Sequence, residues 1–298
     1  MSLRETSPMS RRLLFAPLLA SLAAACSPIG LLNSLGPRDQ TARRVSRDLS
    51  YGQDPRQRFD LFAPIRPQGV LPVVVLFYGG GWDSGAKADY AWAAQALAAQ
   101  GFLVALPDYR LVPDVRFPAF IEDAAEATAA VGRIASEYGA DPERLGVAGH
   151  SAGAHLAMMI ALDRQYMQAA GAPDQIRAAA GLSGPYEFLP FNVPASVNAF
   201  GHVADPAQTQ PVNFVRADAP PLWLGHGEPD VVVHAEDSVI LAERTQAIGG
   251  RAELRLYPHL NHADTIATFS PLFRSKAPVL AEMAAFLHRE LDRPRTAA

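Results

Sequence analysis

The chain has 298 residues, a formal net charge of −4 and 49% hydrophobic residues. The charge leaves no basic footprint, which excludes nucleic acid as an expected partner, and the apolar content suits one large α/β domain. With a single cysteine, Cys26, an internal disulfide and a cysteine-built metal site are excluded.

Residues 1–26 read as a signal peptide. Arg11 and Arg12 precede the apolar run Leu13–Ala25, which is too short to span a bilayer as a helix and has the order of a secretory signal. The run ends Leu22-Ala23-Ala24-Ala25-Cys26, which resembles the bacterial lipobox, with the leucine one place further from the cysteine than usual. That resemblance implies an exported lipoprotein tied to a membrane of the bacterial envelope through a lipid anchor on Cys26. Ser27 behind the cysteine implies the outer membrane. Residues 27–42, with Pro, Gly and Asn, read as a tether, and residues 43–298 as the folded domain.

Arg43–Leu49 and Gln57–Phe62 show partial alternation around a Gly52–Pro55 break, which predicts an antiparallel hairpin at a sheet edge. Val70–Phe77 is apolar without alternation, so it predicts a strand buried on both faces. Tyr78-Gly79-Gly80-Gly81-Trp82 follows, and three glycines there free backbone amides to face a ligand. A helix over Lys87–Ala99 and a strand over Phe102–Leu106 come next, stopped and restarted at Gly101. Asp108 ends that strand, with pairing to Arg110 as the expected role. Phe117–Tyr138 predicts a long helix, with Glu122, Asp123 and Glu126 on its solvated face. Asp141–Arg144 reads as a turn before the strand Leu145–Ala148.

That strand runs into Gly149-His150-Ser151-Ala152-Gly153 and an apolar helical stretch, Ala154–Leu162. This is the G-x-S-x-G elbow, in which a serine sits on a sharp strand-to-helix turn and small neighbours allow close approach. The amide of Ala152 then points at any oxyanion formed at Ser151, with a helix dipole behind it. Ala178–Leu182 predicts another strand. Between Glu187 and Pro221 the periodicity disappears, and a stretch of that length with Phe188, Phe191, Phe200 and Phe214 reads as a lid-like excursion over residues 187–221. Leu222–Leu224, Ala235–Ile248, Ala252–Tyr257 and Ala277–Leu291 complete the pattern as strand, helix, strand and helix. Strands and helices alternate, so the fold class is α/β with a mostly parallel sheet, and its sites belong at the carboxyl ends of the strands.

A serine hydroxyl needs a base, and a histidine base needs an acid to orient it. In this architecture the chain order is serine, acid, histidine. Of the eight histidines, His259 and His262 lie after the last strand. His262 is preferred, because it lies further along the loop. Asp230 is preferred over Glu228 for the acid, since it lies deeper in the loop with Val231–Val233 expected to bury it, and over Asp218, which precedes the strand. Gly80, Gly81 and Ala152 are the oxyanion candidates. Trp82, Tyr186, Phe188 and Phe191 are candidates for the pocket wall, and Trp223 reads as core. No phosphate loop, dinucleotide pattern or metal-spaced cluster stands out, so no cofactor and no metal are expected.

Taken in order, Gly-Gly-Gly-Trp, Asp-Tyr-Arg-Leu-x-Pro, Phe-Pro-Ala, Gly-His-Ser-Ala-Gly, the aspartate and the histidine resemble the α/β-hydrolase superfamily. Within it the chain is similar to the carboxylesterase branch of hormone-sensitive-lipase-like esterases, kynurenine formamidases and isoprenylcysteine methylesterases. The likeness spans roughly Arg43–Leu291. It implies a central sheet of about eight strands with helices on both faces, and a small-molecule ester as substrate. It also implies Ser151 as nucleophile, Asp230 as acid, His262 as base and Gly80, Gly81 and Ala152 as oxyanion donors. One position departs: Tyr78 stands where that branch usually has a histidine supporting the oxyanion loop. Two alternatives stay open, an amidase, formamidase or peptidase on the same triad and a catalytically inactive binding lipoprotein.

Overall fold

The computed structural model describes residues 36–294. The signal reading on residues 1–26 and the first part of the tether lie outside the described residues. Eight strands form one sheet in the order β1-β2-β4-β3-β5-β6-β7-β8. They are β1 (Ala42–Ser50), β2 (Arg58–Pro64), β3 (Leu71–Phe77), β4 (Leu103–Pro107), β5 (Ala140–His150), β6 (Ile176–Leu182), β7 (Leu222–Gly227) and β8 (Ala252–Tyr257). β1 pairs antiparallel with β2 and β2 with β4, while every pairing from β4 through β3, β5, β6 and β7 to β8 is parallel.

The burial of each strand follows from its place. Edge strand β1 is buried only at Ala42; beyond it half-buried and exposed positions alternate imperfectly, and the apolar Val45 faces outward. Every residue of β3 is buried. Successive side chains of a strand point to opposite faces, so the sheet is covered on both sides there. The covering helices are α1 (Lys87–Ala98), α2 (Ala119–Ile134), α3 (Ala152–Leu162), α4 (Arg164–Ala169), α5 (Pro194–Phe200), α6 (Glu236–Ala247), α7 (His262–Ala267) and α8 (Val279–Leu291). Among the described residues no helix is long and apolar enough to cross a membrane.

Three expectations are corrected. Asp141–Arg144 is not a turn ahead of the strand but the start of β5. The pairing jumps from Leu71↔Ala140 to Val73↔Leu145, so the local turn chemistry, with Asp141 accepting from the Glu143 amide at 2.9 Å, is absorbed as an irregularity in the ladder. Asp123 does not face solvent. It is fully buried and takes three hydrogen-bond contacts from the Arg110 guanidinium at 2.7 to 3.0 Å, plus the Arg110 amide and Gln57. Arg110 therefore pairs with Asp123 rather than Asp108. Asp108 instead accepts the Lys87 amide at the head of α1, with Arg56 3.8 Å away. Glu122 and Glu126, flanking Asp123 on α2, are exposed as expected.

The register brings the functional loops to one rim. Phe77 pairs with Gly149, His150 with Leu182, Leu182 with Gly225, and Gly227 with Tyr257. The glycine loop, the elbow, the acid loop and the histidine loop therefore all leave the sheet at its carboxyl edge.

Candidate active site

Ser151 closes β5 and opens α3 with φ 55° and ψ −126°, a backbone state that side-chain-bearing residues rarely adopt. Its neighbours permit this. A Cβ on Gly149 would lie 2.2 Å from the Gly153 carbonyl oxygen, and one on Gly153 would lie 2.2 Å from that of Phe77. The bend is thus held by backbone packed directly on backbone. The Ser151 amide donates to the Leu182 carbonyl at 2.9 Å, which ties the turn to β6.

Ser151 Oγ lies 2.9 Å from His262 Nε2, and His262 Nδ1 lies 2.8 Å from Asp230 Oδ2. Val231 and Val232 do not bury Asp230, since their side chains are exposed; the loop contributes backbone instead, and Asp230 Oδ1 accepts the amides of Val232 and Val233 at 2.9 and 3.0 Å. Burial opposes charge on Asp230, but hydrogen bonds from His226 and His262 and from the Val233 amide outweigh it and hold the carboxyl well below the usual carboxylate range. The rival residues lie elsewhere. His259 and Glu228 are exposed, and Asp218 pairs with Arg164 and Arg216 on the surface.

His262 owes its place to features the sequence reading missed. It is the first residue of α7, whose N-cap Asn261 accepts the Asp264 amide while Asp264 accepts the Asn261 amide. The Asn-x-x-Asp spacing is a capping-box signature and would have located this short helix. Beneath it, His150 is fully desolvated. Its Nε2 donates to the His262 carbonyl at 3.0 Å, so its Nδ1 accepts the Tyr90 hydroxyl at 2.8 Å. Burial, reinforced by the neighbouring His262 ring, lowers His150 to about 3 and keeps it neutral. The residue before Ser151 thus anchors the loop that carries His262.

On the other side of Ser151 lies the glycine loop. A Cβ on Gly79 would come within 2.9 Å of Ser151 Cβ, so the loop lies against the serine. Gly80 has φ +143° and Gly81 φ +60°, and the Gly80 carbonyl accepts the amides of Asp83 and Ser84, which curls the loop. Tyr78 supports it from below. Its ring stacks on Tyr109 at 4.5 Å, its carbonyl accepts the Tyr109 hydroxyl at 2.9 Å, and its hydroxyl accepts Arg56 Nη2 at 2.7 Å. Arg56 also donates to the carbonyls of Gly85 and Tyr109 at 2.9 and 2.8 Å. An arginine from the β1–β2 loop therefore braces the glycine loop through the tyrosine that precedes it. Nothing in the local sequence around Arg56 signals this.

The wall residues divide. Trp82 packs against Phe188 and, edge-on, against Phe200 and His155. Phe188 and Phe191 are half-buried beside them. Tyr186 is corrected: it is fully buried core. Its ring occupies space left by Gly181 and Gly184, where an added Cβ would meet the Tyr186 hydroxyl at 2.0 and 2.5 Å. Residues 187–221 are not structureless, since they contain α5 and two short 3-10 turns, Pro206–Thr209 and Pro211–Phe214. His155 fastens this segment to the glycine loop. Its Nδ1 accepts the Trp82 indole at 3.3 Å and its Nε2 donates to the Thr209 carbonyl at 2.8 Å. Burial lowers its pKa to about 4.

The doubly wound sheet, the serine on its strained elbow and the hydrogen-bonded histidine and aspartate at the sheet's carboxyl edge define an α/β-hydrolase. Residues 59–245 match the BD-FAE family, and the chain belongs to that family. It is 31% identical to a probable isoprenylcysteine alpha-carbonyl methylesterase of Oryza sativa subsp. japonica over 86% of this chain and 65% of that protein. It is 32% identical to carboxylesterase NlhH of Mycobacterium tuberculosis over 64% of this chain and 66% of that one. The chain thus spans slightly less than two thirds of the length of the plant relative. Among solved structures it superposes on a truncated carbohydrate esterase from gut microbiota with a TM-score of 0.76 at 20% identity, covering 87% of this chain and 100% of that one. Esterase B of Lactobacillus rhamnosis, inhibited by a tributyrin phosphonate, gives a TM-score of 0.78 at 22% identity, covering 92% and 94%. Both likenesses bear on the fold.

Proposed function

We propose that the protein is a serine carboxylesterase. The observation that carries this reading is the continuous chain from Ser151 Oγ through His262 to Asp230, with separations of 2.9 and 2.8 Å. His262 takes the serine proton as Oγ attacks the ester carbonyl, then returns it to the departing alcohol. Water, deprotonated by the same histidine, releases the acid from the acyl-enzyme. Asp230 stays ionised throughout and stabilises the imidazolium. The amides of Ala152, Gly80 and Gly81 receive the oxyanion. Ala152 is the first residue of α3, where an amide lacks an intrahelical partner. Trp82, Phe188 and Phe191 form the apolar wall, and the substrate is a small-molecule ester of short to medium acyl length. Relatives named as methylesterases and carboxylesterases support the ester class. The N-terminal pattern ending at Cys26 supports export and lipid anchoring in the bacterial envelope.

Turnover of a p-nitrophenyl ester series by the protein, abolished in Ser151→Ala, is the expected result, and the optimum acyl length sizes the pocket. A folded protein that turns over no ester and whose Ser151 resists a fluorophosphonate probe would overturn the reading. Metabolic labelling with a fatty acid, lost in Cys26→Ser, tests the anchor.

A further inference from the structure

Asp230 touches a second imidazole that the acyl-transfer steps do not use. His226, the next-to-last residue of β7, is fully buried. Its Nε2 lies 3.0 Å from the Val233 carbonyl and 3.3 Å from Asp230 Oδ2. Both of those oxygens only accept, so Nε2 carries the hydrogen. The opposite nitrogen, Nδ1, lies 2.7 Å from Ser238 Oγ, and in the neutral ring it accepts that hydroxyl. Ser238, in the first turn of α6, is itself fully buried. Three donors bond to Asp230 and a fourth lies close. The amides of Val232 and Val233 hold Oδ1 and His262 holds Oδ2, while the Nε2–H of His226, bonded to the Val233 carbonyl, stands 3.3 Å from the same Oδ2.

We propose that His226 is a positioning residue for the reaction, acting through Asp230 and extending the Ser151–His262–Asp230 chain to His226 and Ser238. The backbone amides fix one carboxylate oxygen. His226 fixes the rotation of the other, so that Oδ2 stays on the line of His262 Nδ1 as the imidazolium forms and discharges. The Val233 carbonyl and the Ser238 hydroxyl in turn fix the ring, which sets its tautomer. A side chain buried behind the acid makes no contact with substrate, so it acts on kcat and not on KM. The inference rests on reading Ser151 as the nucleophile.

The test compares wild type, Ser151→Ala, His226→Leu, His226→Gln and His226→Asn as full chains. Their thermal melting is recorded beside kcat and KM on p-nitrophenyl butyrate and the rate of Ser151 labelling by a fluorophosphonate. The Gln amide reaches the place of Nε2–H, and the Asn amide does not. His226→Leu and His226→Asn are expected to lower kcat and the labelling rate by about ten- to a hundredfold, the range set by one hydrogen bond to a charged group. KM is expected to stay put, and His226→Gln to restore most of the rate. If His226→Leu does not fold, the Gln and Asn variants decide. Equal activity in those two, or wild-type kcat in a folded His226→Leu, would overturn the proposal while leaving the serine-esterase reading intact. Wild type without turnover or labelling would overturn both.

Discussion

The two flanks of Ser151 are built from different materials. On the acid-base flank, Asp230, His262, His226 and His150 are held by side-chain hydrogen bonds, most of them involving an imidazole or a carboxylate. On the oxyanion flank, position comes from backbone shape and ring packing: two left-handed glycines, stacked tyrosines and an arginine that donates mainly to carbonyls. The difference matches the task. In the proposed mechanism a proton relay needs partners that set which atom carries the proton, whereas an oxyanion site needs only amides that do not move. Damage to the first flank is expected to alter protonation and turnover together. Damage to the second is expected to lower turnover and leave the pH profile in place.

Asp230→Asn is the largest expected break. An amide nitrogen facing His262 Nδ1 would favour the tautomer with its hydrogen on Nε2, and kcat is expected to fall by about 10⁴-fold with KM little changed. The fall should be smaller at high pH, where hydroxide can substitute for the base. Gly80→Ala is next. A Cβ there would sit 2.2 Å from the Ser84 carbonyl oxygen at φ +143°, so the loop must open. Losing a donor from the oxyanion site is expected to cost about 10²- to 10³-fold in kcat. Gly81→Ala is expected to cost less, because its Cβ would meet nothing closer than Ala195 Cβ at 3.4 Å and only the strain of a side chain at φ +60° remains. A pH profile displaced by Gly80→Ala would show that the two flanks are not separable.

Tyr78→Phe probes the brace alone. It removes the hydroxyl that accepts Arg56 while keeping the stack on Tyr109, and Arg56 keeps its bonds to the Gly85 and Tyr109 carbonyls. The expected loss is about 1 to 2 kcal/mol of stability with a three- to tenfold drop in kcat, read by denaturant titration and steady-state kinetics. Unchanged kcat in the folded variant would make the tyrosine simple core.

The same contrast explains what the sequence could disclose. The elbow was legible because its glycines are forced by backbone contact, and Ser151, Asp230 and His262 because loop order after each strand is fixed by topology. The unbroken apolar run of β3 reports burial directly, whereas the partial alternation of β1 does not, since its Val45 faces outward. What stayed hidden depends on contacts between distant segments: Arg56 under Tyr78, Asp123 drawn inside by Arg110 and Gln57, and His226 turned onto Asp230. Asp123 lies on a helix between two exposed glutamates, so helical spacing alone cannot show that a guanidinium covers it. Tyr186 misled for a related reason. Its partners Gly181 and Gly184 look like turn glycines, but their missing side chains make room for its ring.

The last effect falls on stability rather than turnover and concerns a second carboxylate close to this flank. Asp237, in the first turn of α6, accepts the Glu187 amide at 3.2 Å, where residues 187–221 begin. Burial pushes it up to about 7 despite amide hydrogen bonds, the opposite of Asp230. With a folded pKa above the unfolded 3.8, the folded state keeps a proton between about pH 4 and 7 that the unfolded chain has lost, so Asp237 lowers stability as pH rises through that window. His150 and His155, held near 3 and 4, act in the other direction, since the unfolded chain takes up their protons below about pH 6.5. Between about pH 4.5 and 6 these three groups leave a net slope of about one proton, two from the histidines less one from Asp237. Asp237→Asn keeps an oxygen for the Glu187 amide and removes the charge. It is expected to steepen that slope to about two protons and to stabilise the protein above pH 7.5 by up to about 4 kcal/mol, with little effect near pH 4. Urea titrations at pH 4.5, 6 and 8 read both quantities. A variant no more stable than wild type at pH 8 would mean that Asp237 ionises there without cost, and that buried charge is tolerated on this flank beyond the one carboxylate that two imidazoles hold.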